Sequence, residues 1–152
     1  MRIFSPPISR LLLGTITLLW LGANAHAADT ELTMYKDPNC GCCGKWAEHM
    51  RENGFKVREV ISQEMSLIKR QTGVPARLAS CHTAKVGNYV IEGHVPASDV
   101  RRLLNEQPAV RGLAAPGMPL GSPGMEGPYP AEHYQVISFE RNGRQAVFAA
   151  HN

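Results

Sequence analysis

Four cysteines carry most of the chemical potential of this chain. Cys40, Cys42 and Cys43 fall within four consecutive positions, and Cys81 is the only other cysteine among the 152 residues. Adjacent cysteines bond to each other only with backbone strain, so this spacing is a poor design for a disulfide scaffold. Thiolates are soft ligands that select Cu(I), zinc or iron–sulfur centres. The spacing therefore indicates a site for a soft metal.

Two other uses of the cysteines stay open. Cys40 and Cys43 have C-x-x-C spacing, which at a helix N-terminus also suits thiol–disulfide exchange. In an oxidising compartment the four cysteines would instead form two structural disulfides, in any of three pairings. The alternatives to a metal-thiolate protein are thus a thiol–disulfide oxidoreductase that uses the Cys40/Cys43 pair, and a disulfide-stapled binding module.

Methionine and histidine side chains offer further ligands. Met118 and Met125 each follow a Pro-Gly pair in a long loop, where a thioether could cover or complete a copper site, or simply pin the loop to the core. His94 follows a predicted strand and is the histidine that we expect nearest to the site. Neighbours on a strand face opposite sides, so if Cys81 points to the site, we expect the adjacent His82 to point away.

The N-terminus predicts export from the cytoplasm. Arg2 and Arg10 supply positive charge, an apolar run follows, and the Ala-His-Ala motif that ends at Ala27 fits a cleavage site. The apolar run is shorter than the roughly 20 residues of a membrane span, and an uncleaved anchor is the alternative. We therefore predict a secretory signal peptide at 1–27 and a mature periplasmic domain at 28–152. Export favours copper over an iron–sulfur centre.

Charge argues against nucleic acid as a partner. Without Arg2 and Arg10, the 16 basic side chains fall to 14, against 13 acidic ones, so the mature domain is close to neutral. No basic patch remains of the kind that binds nucleic acid. The expected partners are copper ions and other periplasmic copper-handling proteins, with no stable membrane span after the signal is cleaved.

Apolar periodicity and turn residues predict the elements that hold these side chains. The predicted order is strand 32–35, helix 44–53, strand 55–61, helix 62–73, strand 77–83, strand 88–91, helix 98–104, a loop at 107–130, and a hairpin of strands 134–139 and 145–148. The loop alternates proline and glycine and contains both Pro-Gly-Met triplets. Loops of this length are uncommon and often functional.

This order predicts an α/β fold, namely a thioredoxin-like single domain with a C-terminal β-hairpin and a long Pro/Gly/Met loop. In the thioredoxin-like fold a cis-proline faces the cysteines that follow the first strand. The proline of Val74-Pro75 would be that residue, and an ordinary proline at the start of a strand is the alternative.

Several longer segments extend the cysteine motif: KDPNCGCCGKW at 36–46, GVP at 73–75, SCHT at 80–83, YVIEGHVP at 89–96 and GLAAPGMP at 112–119. Together they resemble the CopG-like periplasmic metal-binding proteins of bacterial copper-resistance clusters, over about 33–147. The resemblance implies a thioredoxin-like domain with a multinuclear copper cluster that the four cysteines bridge. It also implies a role in copper tolerance. Redox interconversion of the bound copper is a further activity that the resemblance leaves open.

The leading prediction is a periplasmic copper-binding protein of copper homeostasis that holds several Cu(I) ions per chain in a thiolate cluster. A copper-dependent or thiol oxidoreductase activity stays open beside it. The predicted metal ligands, counting those that shield or complete the site, are Cys40, Cys42, Cys43, Cys81, Met118, Met125 and His94.

Overall fold

The computed structural model describes residues 30–152. The predicted signal peptide and its cleavage site lie outside the described residues. The elements, in chain order, are β1 Thr30–Lys36, α1 Gly41–Glu52, β2 Phe55–Ile61, α2 Met65–Thr72, a 3₁₀ turn Ala76–Leu78, β3 His82–Val86, β4 Tyr89–Glu92, α3 Ala97–Glu106, β5 Gly112–Ala114, β6 Tyr134–Phe139 and β7 Gln145–His151.

The seven described strands form a single mixed sheet with the order β2-β1-β3-β4-β5-β6-β7. The β1–β2 and β4–β5 pairs are parallel, and the other neighbours are antiparallel. The described chain is therefore a mixed α/β domain, as the sequence predicts. None of the helices within residues 30–152 combines the length and apolar character that a membrane span requires.

The sheet separates two apolar clusters, because successive strand residues face opposite sides. The larger cluster contains the buried faces of α1 and α3, including Trp46, Met50 and Leu103, with Leu113 from β5. The smaller cluster lies on the other face and joins Val74 and Leu78, after α2, to Val90, Ala114 and Phe139. The helix that carries Cys42 and Cys43 is thus packed firmly against one face.

The helix α1 forms where apolar periodicity predicts it. Cys43, Trp46, Ala47 and Met50 recur at three- and four-residue spacing, and all four are buried. Cys40 is the residue that caps the helix N-terminus, without a side-chain hydrogen bond. Two cysteines therefore lie in the first turn of the helix and one immediately before it.

The third strand is shorter and later than predicted. Instead of a strand at 77–83, a 3₁₀ turn at Ala76–Leu78 follows Pro75, and β3 begins only at His82. Leu78 turns into the smaller apolar cluster, which ends the extended run. His82, Thr83, Ala84 and Val86 are all buried in the centre of the sheet, so polar and apolar residues do not alternate.

Two further expectations need correction. The long loop is interrupted by β5, which lies between β4 and β6 and was not predicted. There is no cis peptide bond within residues 30–152, so the Val74–Pro75 bond is trans and Pro75 is not the cis-proline that a thioredoxin-like fold would place there. Pro75 precedes the 3₁₀ turn rather than a strand.

Candidate metal centre

The four cysteines converge at one end of the sheet. Cys40, Cys42 and Cys43 lie at the β1–α1 junction, and Cys81 immediately precedes β3, which pairs with β1. The four sulfur atoms all lie within 4.8 Å of one another. The order of strands in the sheet therefore brings Cys81 to the start of α1, although it is distant in sequence from the other three cysteines.

The sulfur positions define one disulfide and two free thiols. Cys40 and Cys43 are disulfide-bonded, with their Cα atoms 5.5 Å apart. The Sγ atom of Cys42 lies 3.6 Å from that of Cys40 and 3.8 Å from that of Cys81. Two thiolates that bind one ion tetrahedrally, with metal–sulfur bonds of about 2.3 Å, have their sulfur atoms about 3.8 Å apart. Cys42 and Cys81 are thus spaced as ligands of one ion.

The donor set fits a soft metal. Four sulfur atoms that lie within 4.8 Å of one another suit Cu(I) and zinc. They do not suit hard cations such as Mg²⁺ and Ca²⁺, which prefer oxygen ligands. Cys40 and Cys43 join this set once their disulfide is reduced. The arrangement can therefore bind a soft ion, exchange disulfides, or do both in different redox states.

His94 extends the cluster with a nitrogen donor. Its Nδ1 lies 2.7 Å from the carbonyl oxygen of Pro123, and its Nε2 lies 3.0 Å from Cys81 Sγ. A carbonyl can only accept, so Nδ1 carries the proton and the Nε2 lone pair of the neutral ring faces Cys81. An imidazole held through one nitrogen with the other directed at the site is the usual arrangement of a metal-binding histidine.

His82 also lies at the centre, contrary to expectation. Its Nδ1 is 3.4 Å from Cys81 Sγ, and its ring lies 4.4 Å from that of Trp46. Its Nε2 is buried and has no hydrogen-bond partner among the described residues. The alternation rule does not apply, because Cys81 precedes the strand that begins at His82. The adjacent Cys-His pair was the signal that sequence reasoning set aside.

Burial controls protonation at this centre. Burial and, secondly, the neighbouring Cys42 raise the pKa of Cys81 to about 12. Burial lowers the pKa of His94, and it lowers the pKa of His82 well below its usual value, with His94 and Lys69 adding to the effect. In the metal-free protein at neutral pH, Cys81 is therefore a neutral thiol and both imidazoles are unprotonated. Metal binding must displace the Cys81 proton.

Met125 lies at the rim of the site. It lines a surface cavity of about 470 Å³ together with Cys42, Lys45 and Tyr129. The loop that carries it approaches α1 at Gly124, whose φ is +84°; a Cβ there would lie 2.7 Å from the backbone nitrogen of Trp46. The close approach of loop and helix therefore depends on a glycine, and it places the Met125 thioether in the lining of the cavity to which Cys42 also contributes.

Other candidate residues lie outside the cluster. Met118 is 52% exposed and directly follows the loop residue Gly117, which bridges to Ser80. His133 is exposed and contacts Asn152, whereas His151 pairs with Asp99. Of the seven predicted ligands, the structure brings together the four cysteines and His94, leaves Met125 at the rim, and leaves Met118 in solvent.

Comparisons with known proteins relate the chain to a copper resistance protein. The family described as "Protein of unknown function, DUF411" matches residues 78–125. Two solved structures, "Copper resistance protein copG- Form 1" and "Copper resistance protein copG- Form 2", each match with a TM-score of 0.77 and 41% sequence identity, over 81% of this chain and 98% of the other chain. No curated protein matches the chain significantly.

Proposed function

The chain belongs to the family of the copper resistance protein CopG, and from that premise we propose that it binds Cu(I) in a cysteine-thiolate centre that serves copper homeostasis or resistance. One observation carries the proposal: four sulfur atoms from two separate segments lie within 4.8 Å of one another. A set of four thiolate ligands selects soft metal ions over hard ones.

Binding begins at the two free thiols. Cys42 and Cys81 have the spacing of ligands to one ion, and the Cys81 proton leaves as the metal arrives. Two-electron reduction of the Cys40–Cys43 disulfide by an external dithiol, which is itself oxidised to a disulfide, supplies two more thiols that lose their protons as further ions bind. Because one thiolate sulfur can bridge two Cu(I) ions, the complete set holds several ions per chain.

Ligands outside the thiolate set complete or cover the site. His94 directs Nε2 at Cys81 and is positioned to join the first ion. Met125 supplies a thioether from the rim, beside the cavity that Cys42 lines. Met118 is a ligand only if the loop folds inward on metal binding, because its side chain is exposed in the described state.

The proposed setting is the periplasm, after removal of residues 1–27. The strand order β2-β1-β3-β4, with α1 after β1 and α3 after β4, supports the thioredoxin-like assignment, with β5 to β7 as an extension of the sheet. Copper ions, and other periplasmic proteins that deliver or accept them, are the proposed partners.

A second candidate function is thiol–disulfide exchange. The observation that favours it is the Cys40–Cys43 disulfide with the free Cys42 thiol 3.6 Å from Cys40 Sγ. A disulfide reductase assay on the copper-free protein tests this candidate. Turnover above that of an equal concentration of free thiol supports exchange, and turnover at that level removes it.

Substitution of one accessible thiol tests the copper proposal. Cys42→Ser should lower Cu(I) affinity more than the roughly 10- to 100-fold that loss of an outer-shell partner costs, measured anaerobically against a chromophoric Cu(I) chelator. Met65→Leu is the matched control, because Met65 is a half-buried thioether on α2, away from the cluster. Parental affinity in Cys42→Ser would contradict the proposal.

A further inference from the structure

A buried carboxylate lies behind the Cys81 segment. Glu92, at the end of β4, is fully buried, and three donors converge on it. Lys69 Nζ lies 2.5 Å from Oε1, the Ser80 backbone N–H donates to Oε1 over 2.7 Å, and the Thr83 hydroxyl donates to Oε2 over 2.6 Å. Both carboxylate oxygens are thus satisfied, as a buried charge requires.

Stability alone is a weak reason for such a pair. Replacing a buried ion pair by apolar residues of similar volume is often neutral or stabilising. The pair spans three elements, because Lys69 lies on α2, Thr83 on β3 and Glu92 on β4. What distinguishes it is the fourth group that it holds, the backbone N–H of Ser80, which belongs to neither helix nor strand.

Ser80 is fixed from three directions. Its N–H donates to Glu92, and its hydroxyl donates to the carbonyl oxygen of Gly117. Its side chain packs on Gly93, whose φ is +71° and where any Cβ would overlap Ser80. The residue immediately before Cys81 therefore has one defined position.

The other neighbour of Cys81 is fixed by the sheet. His82 pairs with Lys36 of β1, and its carbonyl oxygen accepts the N–H of Gly93 over 3.0 Å. Cys81 itself precedes β3 and has no strand pairing in the described sheet. Its sulfur can meet Cys42 at 3.8 Å and His94 at 3.0 Å only while both flanks are held.

We propose that Glu92, with Lys69 as its counterion, is a positioning residue that presents Cys81 to the copper centre by anchoring the Ser80 backbone. This inference rests on the proposed function, because it takes Cys81 to be a copper ligand. Glu92 touches no sulfur in the structure and acts through Ser80. An acceptor-only carboxylate suits the role, since all three of its partners are donors.

The primary test replaces the carboxylate by an amide. Glu92→Gln should lower Cu(I) affinity about 10- to 100-fold, the usual effect of removing an outer-shell partner. In the reduced, copper-free protein it should also raise the alkylation rate of Cys81 relative to that of Cys42, read by mass spectrometry. Glu59→Gln is the matched control. Glu59 lies on β2 and pairs with Lys36 and Arg51. Loss of its charge should change neither the Cu(I) affinity nor the alkylation rate of Cys81.

A double-mutant cycle separates positioning from general destabilisation. If Glu92 acts through Cys81, Glu92→Gln lowers copper affinity in the parent and adds no further loss in the Cys81→Ser background. An equal loss in both backgrounds, or an unchanged Cys81 alkylation rate, overturns the inference. Loss of copper in Cys81→Ser without loss in Glu92→Gln overturns the positioning role alone. Parental affinity in Cys81→Ser overturns the proposed function and this inference with it.

A second variant covers a failure of Glu92→Gln to fold. Lys69→Met/Glu92→Leu removes both charges together, which buried pairs commonly tolerate, and leaves the Ser80 N–H without its acceptor. The folded double variant should show the same loss of affinity and the same faster alkylation of Cys81. Parental values for both in the folded protein overturn the inference.

Discussion

His94 Nε2 lies 3.0 Å from Cys81 Sγ, although the two residues are separated by a complete β-hairpin. Strands β3 and β4 run antiparallel, with Thr83 opposite Glu92, so the residues that flank the hairpin return to the same end of the sheet. The Pro123 carbonyl holds the opposite nitrogen of the ring. The centre therefore combines thiols and an imidazole that is already oriented.

Loss of the imidazole should weaken copper binding. His94→Ala removes an imidazole whose Nε2 faces Cys81 while the Pro123 carbonyl holds its Nδ1. Within the described residues, no other histidine nitrogen near Cys81 is held in this way. We expect Cu(I) affinity to fall by about 10-fold or more, measured by chelator competition. His133→Ala, at an exposed histidine, should retain parental affinity. Equal affinities for both variants would exclude His94 from the centre.

Copper affinity should rise with pH through Cys81. Burial raises the Cys81 pKa to about 12, so the thiol stays protonated between pH 6 and 8 and its proton must leave on binding. For each proton displaced on binding, the apparent Cu(I) affinity rises about tenfold per pH unit. Cys81→Ser should therefore reduce the slope of affinity against pH by about one proton. The same slope in parent and variant would contradict the assignment.

The loop should depend on Gly124. Gly124→Ala places a Cβ against the backbone of Trp46 and Cys42 at a φ of +84°, and such strain costs about 1–3 kcal/mol. We expect a lower Tm and weaker copper binding, because the loop that carries Met125 and Pro123 shifts. Gly127→Ala is the control in the same loop, since its nearest neighbour is a flexible tyrosine side chain at 3.5 Å. Similar losses of Tm and copper binding in the two variants would contradict the prediction, because the effect would then not depend on the contact between Gly124 and α1.

Thiol chemistry should divide the cysteines into two pairs. In the oxidised, copper-free protein, Cys42 and Cys81 are free and Cys40 and Cys43 are bonded. A thiol count after denaturation should give two per chain, rising to four after reduction. Peptide mapping should place both free thiols at Cys42 and Cys81. A Cys42–Cys81 disulfide, or four free thiols without reductant, would contradict this pairing.

Local patterns in the sequence predict part of this molecule well. The spacing of Trp46 and Met50 predicts α1, and the cysteine motif identifies its N-terminus as the site of chemistry. The β3 boundary was not predictable from alternation, because β3 is central and buried on both faces, so His82 and Thr83 break the pattern. β5 has only three residues and offers no periodicity.

The missed parts of the site depend on long-range structure. The approach of Cys81 to α1 follows from the sheet order, which places β3 beside β1. The role of Glu92 depends on which donors surround it, and no local pattern of residues records that. Met118 and Met125 have the same local sequence, yet the path of the loop leaves one in solvent and brings the other to the Cys42 cavity.

The most direct test of the copper-thiolate proposal is copper stoichiometry by elemental analysis of residues 28–152, first reduced, then purified anaerobically with Cu(I), and paired with a free-thiol count. We expect more than one copper per chain, with the four thiols protected until the metal is removed. Little or no bound copper, with all four cysteines oxidised in the native protein, would contradict it.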